Sequence, residues 1–273
     1  MGFKNHDGII ISDFRAKITF SFLVFQFFRN PSLTNETTNQ LTMYIAIFTD
    51  MNFLSHFYFD RNTPNVNIVL GTVLPDLLKN ANKSWNVHPE KHPELFDKVG
   101  LGDLLQGWKR HLHVDLLFHS SAFFSEKTQE LKRLLVPILK DSPVRPSFLA
   151  HIGVELLLDH LLIEQQKIVI TSFYDNLEAV AEDDLIGFLH SCKIDDTPLF
   201  FKFFNSFKSS RYLLSYQKLD NIGYALQRIC MRVWEHPFSE KNIYDLNVVL
   251  EFYKNKLQVD FMVIFEEIEN RLI

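Results

Sequence analysis

Between Trp108 and Ser120 the chain reads WKRHLHVDLLFHS, and His111, Asp115 and His119 fall there at steps of four. Four residues turn an α-helix by about 400°, so the three side chains share one face and drift about 40° per step. Val114, Leu116, Leu117 and Phe118 surround Asp115, so this segment belongs in a core. A buried face carrying two imidazoles and a carboxylate needs compensation, because unpaired buried polar groups are costly. A metal ion can supply it, and so can hydrogen bonds alone. His113 points away from His111 and reads as a surface residue. His88 and His92 lie upstream in loop-like sequence and stay outside the stripe.

The pattern around that helix is helical almost throughout. Only nine glycines and ten prolines occur in 273 residues, which argues against a loop-rich or all-β fold. Hydrophobic residues make up 47%, and 27 phenylalanines predict a core packed by aromatic rings. Two cysteines, Cys192 and Cys230, give no disulfide framework and suit a reducing, cytoplasmic setting. A formal charge of −5 argues against broad nucleic-acid binding. By run length, no apolar stretch reaches the roughly 18–20 residues of a membrane span; the nearest is ITFSFLVFQFF at 18–28.

Residues 1–50 lack a clear helical period and include a polar, turn-like run at 32–41, so they read as a dispensable extension. From Met51 one compact all-α domain is expected, over 51–273. The segment 51–59 fits strand or helix. Residues 66–80 are apolar, with Pro75 forcing a kink or break. A long loop covers 81–100, the central helix covers 101–123, and an amphipathic helix interrupted by Pro137 covers 126–140. A strongly apolar helix covers 147–166, and further helices cover 172–192 and 197–208. Residues 209–235 form one or two helices with Gly223 a weak point, and 241–272 form a long final helix.

The helix at 147–166 carries a second polar stripe, His151, Glu155 and Asp159, with His160 one step round. Adding the polar residues embedded elsewhere in apolar sequence gives His56, Asp76, His111, Asp115, His119, Glu155, Asp159 and His160. Imidazole and carboxylate donors suit Mn, Fe, Zn or Mg. Such an ion lowers the pKa of bound water and polarises a phosphoryl oxygen. The bland reading stands beside this one: His56 as a hydrogen-bonded core histidine, Asp76 as a turn or N-cap residue after Pro75, Glu155 as an ordinary paired helix residue. No nucleophile elbow, P-loop or dinucleotide fingerprint occurs.

Several short motifs, in order, resemble the bacterial acyl carrier protein phosphodiesterases: MNFLSHFYF (51–59), GTVLPDLLK (71–79), HLHVD (111–115), LLLDHLL (156–162) and SRYLLSYQKLDNIGYALQRICMRV (210–233). The resemblance implies a helical fold related to the HD metal-dependent phosphohydrolases. It implies hydrolysis of the phosphodiester joining 4′-phosphopantetheine to a serine of acyl carrier protein, with a divalent metal such as manganese. It places Asp76 on the family's catalytic aspartate, and matches Asp159 and His160 to its Asp-His element. Two departures bear on substrate. The family's basic pair is here Leu112 and His113, and a further Asp is here His119.

The sequence therefore predicts a metal-dependent phosphodiesterase whose ion is held by some of His56, Asp76, His111, Asp115, Asp159 and His160. His119 or His160 would protonate the leaving serine oxygen. Lys109 and Arg110 would help receive the acidic carrier protein, with Lys202, Lys208 and Arg211 as weaker candidates. Two alternatives stay open: a phosphodiesterase acting on another small phosphodiester, and a non-catalytic helical binding protein that keeps the fold.

Overall fold

The structure, a computed structural model, describes residues 52–272. Residues 1–50, expected to be a dispensable extension, lie outside the described residues. The described chain is all-α, as the periodicity predicts, with no strand among the described residues. Its helices are α1 (Phe53–Asp60), α2 (Val66–Gly71), α3 (Leu74–Ala81), α4 (Val99–Ser120), α5 (Ala122–Ile138) and α6 (Pro146–Glu164). They continue as α7 (Ile170–Ala179), α8 (Glu182–Ser191), α9 (Thr197–Ser210), α10 (Leu219–Cys230), α11 (Glu240–Leu257) and α12 (Met262–Leu272).

Helix α6 is the core. Ile152, Val154, Leu156, Leu157, Leu158 and Leu161 are all fully buried on it, each contributing about 1.5–3 kcal/mol of apolar burial. Helices α1, α5 and α10 pack against it. By length and composition α6 could cross a membrane, which run length alone does not anticipate because Glu155 and Asp159 interrupt its apolar sequence. Its apolar window is 78% buried inside the protein, however, as in the core helix of a globular domain.

Several boundaries differ from those expected. Over the stretch 51–59, ambiguous by period, the described residues give the helix Phe53–Asp60. The apolar run at 66–80 breaks fully: α2 stops at Gly71, and Pro75 lies in the first turn of α3, where its missing N–H leaves no bond unmade. The 81–100 loop contains two 3-10 turns, Pro89–Lys91 and Pro93–Phe96. It is tied to α4 by the Trp108 indole N–H, which donates to Glu90 Oε2 at 3.1 Å. The central helix ends at Ser120 rather than 123. Ser121 is extended, and its hydroxyl accepts from the Phe124 N–H at 3.0 Å, starting α5. Helix α5 ends one residue past Pro137. The stretch 172–192 is two helices, 212–217 is a 3-10 turn, and 241–272 is also two helices.

One crossing positions the site. Helix α2 runs against α4 with glycine facing glycine. A Cβ built on Gly71 would stand 2.8 Å from Gly107 Cα, and one on Gly107 would stand 2.7 Å from Gly71 Cα. Backbone therefore touches backbone, with no room for any side chain. Gly107 precedes His111, Asp115 and His119 by the same four-residue step, so the crossing sets the height of the whole stripe.

Candidate metal centre

The residue after Gly71 is Thr72, and the crossing lays its carbonyl against the next turn of α4. His111 Nδ1 donates to Thr72 O at 2.8 Å. A carbonyl can only accept, so this bond fixes the tautomer and leaves the His111 Nε2 lone pair facing inward. Nε2 lies 3.8 Å from Asp76 Oδ1, on the first turn of α3. His56, on α1, stacks on His111 with ring centroids 4.0 Å apart and planes 20° apart. His56, Asp76 and His111 are all buried, and one ligand atom from each lies within 4.8 Å of the others.

This triad fits a metal ion better than a hydrogen-bond network. Neither nitrogen of His56 has a hydrogen-bond partner among the described residues, although both are buried. Such an orphan costs about 1–3 kcal/mol if nothing meets it. Burial is also the main force lowering the pKa of both imidazoles, and it holds His56 well below the usual value. Neutral imidazole is the form that ligates a metal. A ligating histidine whose other nitrogen donates to a backbone carbonyl is the usual outer-shell arrangement.

A second group lies further along α4. His119 Nε2 is 3.0 Å from Asp115 Oδ1 and 3.6 Å from Glu155 Oε1, and His151 Nε2 is 3.2 Å from that same Glu155 oxygen. The stripes of α4 and α6 therefore meet. Burial pushes the Asp115 carboxyl up, but His119, and then the fields of His111 and His56, outweigh it and hold the group at about 2. Burial opposes a charge on His119, yet Asp115 and Glu155 raise its pKa. Asp115 thus stands between the two groups and feels both.

The remaining candidates lie elsewhere. Asp159 reaches the start of α1, accepting from the Leu54 N–H at 3.2 Å, the Ser55 N–H at 2.7 Å and the Ser55 hydroxyl at 2.6 Å. His160 Nδ1 donates to Tyr216 O at 2.7 Å, and its Nε2 is 3.8 Å from Glu164. Neither joins the two ligand groups. Lys109 is exposed, while Arg110 lies 4.0 Å from Asp60. Of the weaker basic candidates, Arg211 pairs with Glu178 at 2.8 Å and Lys208 sits over the Phe204 ring. His113 is exposed, as expected. Sequence reasoning did not place His151 in a site, although its spacing from Glu155 was a usable signal. The Thr72 carbonyl left no signal, because any residue type has one.

Comparison with known proteins bears on what such a centre serves. No curated protein and no solved structure matches the chain. The acyl carrier protein phosphodiesterase family model matches residues 51–268, which takes in both ligand groups and the glycine crossing. The chain belongs to the acyl carrier protein phosphodiesterase family.

Proposed function

We propose that this protein is a metal-dependent phosphodiesterase that releases 4′-phosphopantetheine from the serine of holo-acyl carrier protein. The family supplies the reaction class, a hydrolase acting on a phosphodiester. The observation that carries metal dependence is the buried His56–Asp76–His111 triad with its orphaned His56 nitrogens. Manganese suits this mixed nitrogen and oxygen set. A divalent ion there would supply a nucleophile from water at neutral pH and polarise the phosphoryl oxygen.

The chain's own residues do the rest. His56, Asp76 and His111 hold the ion. Thr72 O orients His111, and Asp159 fixes the start of α1, hence His56. Asp115 keeps negative charge beside the centre across the neutral pH range. Lys109, two residues before His111 and exposed, with Arg110 beside it, offers positive charge on α4 for an acidic carrier protein. Residues 51–273 form the functional unit on this reading, and truncation to Met51 retains activity and melting temperature.

The test is direct. Purified protein with manganese and holo-acyl carrier protein releases phosphopantetheine, and Asp76→Asn and His111→Ala each lower the rate at least about 100-fold, as expected when a metal-centred route is lost. Wild-type protein that stays folded and binds manganese, yet releases nothing at high enzyme concentration, would overturn the substrate. A second reading rests on Leu112 and Leu116, which are exposed on the outer face of α4 where a basic rim would serve an acidic partner. They favour a less acidic phosphodiester, and a side-by-side assay with a small aryl phosphodiester decides between the two.

A further inference from the structure

The centre above leaves a second set of ligand-type side chains unused. Nε2 of His119 and Nε2 of His151 both face Glu155 Oε1, at 3.6 Å and 3.2 Å. The two rings stack with centroids 5.0 Å apart and planes 14° apart. The edge contacts of Phe124, 5.0 Å from each ring, hold them in that pose. One ligand atom from each of His119, His151 and Glu155 lies within 4.8 Å of the others. We propose that these three residues form a second divalent-cation site, with the Asp115 carboxylate at its edge. The proposal rests on the metal-dependent reading above, but its three ligands, His119, His151 and Glu155, are residues that reading does not use.

Charge is the first argument. Two carboxylates, Asp115 and Glu155, face two imidazoles. The carboxylates' two negative charges lie together in a partly buried place, and a divalent cation would balance them. The donor set is the second argument. Two imidazole nitrogens and a carboxylate are a frequent ligand set for a catalytic zinc and suit manganese or iron(II) as well. Glu155 is the third argument. Its side chain is 3% exposed, yet Oε2 has no hydrogen-bond partner among the described residues. A buried carboxylate oxygen normally accepts a bond, and bidentate ligation would account for this one. The two imidazoles are more open, with side chains 25% and 19% exposed, so the site faces solvent on that side. That opening suits a position left for water or a phosphate oxygen.

Asp115 links the two groups, since it lies one helical turn beyond His111 on α4 and 3.0 Å from His119 Nε2. As a ligand, His119 would not serve as the proton donor its sequence position suggests.

Ion stoichiometry tests this without any substrate. Full-length protein is stripped with chelator, then titrated calorimetrically with manganese and, separately, zinc, with elemental analysis of the dialysed product. Wild-type protein takes up two equivalents of at least one ion. His151→Ala and Glu155→Gln each take up one, and adding His111→Ala to either removes it. One equivalent in wild type, unchanged by His151→Ala and lost in His111→Ala, overturns the second site and leaves the first intact. One equivalent lost in His151→Ala but kept in His111→Ala upholds the second site and overturns the first. No uptake overturns both. Circular dichroism checks each variant; if Glu155→Gln does not fold, His119→Asn takes its place.

Discussion

Both oxygens of Asp159 end on the backbone of α1, where they accept from two N–H groups and the Ser55 hydroxyl. Burial pushes this carboxyl up to about 7 despite those three donors. Asp159→Ala leaves the donors buried without an acceptor, at a cost of about 2–4 kcal/mol, whereas Ser55→Ala costs about 0.5–1.5 kcal/mol. Thermal denaturation should show that order. A Tm unchanged in Asp159→Ala, with manganese binding lost, would instead make Asp159 a ligand. The cysteines give a second prediction at this scale. Burial drives the Cys192 and Cys230 thiols up to about 12, so both stay protonated near neutral pH. Thiol-blocking reagents should label the folded protein slowly and leave its activity intact; fast labelling with loss of activity would bring a cysteine into the mechanism.

At the scale of the element, the crossing of α2 and α4 has no slack. Alanine at Gly71 or Gly107 forces the helices apart, costing about 1–3 kcal/mol as overpacking does. It should also weaken manganese binding, because Thr72 O and His111 are held by that approach. Urea melts and ion titration of the two variants check both halves; stable variants with full ion affinity would show that the contact is dispensable. The four-residue stripe on α4 was legible because helical period alone aligns His111, Asp115 and His119. The meeting of the α4 and α6 stripes was not, because nothing local to either helix says which faces touch. Nor was the break between α7 and α8, where Val180 and Ala181 take extended backbone although neither is a helix breaker such as Gly or Pro. Packing, not propensity, makes that stop. Asp159 was a ligand candidate by its spacing and its Asp-His motif, and neither signal pointed to its hydrogen-bond partners, which lie 104 and 105 residues away.

At the scale of the whole molecule, ion binding and folding should be linked. An ion that binds only the native state raises stability by RT ln(1 + [ion]/Kd), about 2.7 kcal/mol at 100 times Kd. Manganese should therefore raise the Tm of chelator-stripped protein by several degrees, and Asp76→Asn should blunt that rise. An equal rise in both proteins would place the stabilising ion elsewhere. Helix α6 gives this linkage a mechanical form. It carries His151 and Glu155 directly, and through Asp159 it grips the helix that bears His56. It is a single shaft with both ligand groups geared to it. A slip of one residue along its axis, about 1.5 Å, would disengage Asp159 from α1 and Glu155 from His119 in the same movement. Whatever loosens α6 should therefore dismantle the two groups together, and whatever grips either group should stiffen the shaft that serves the other.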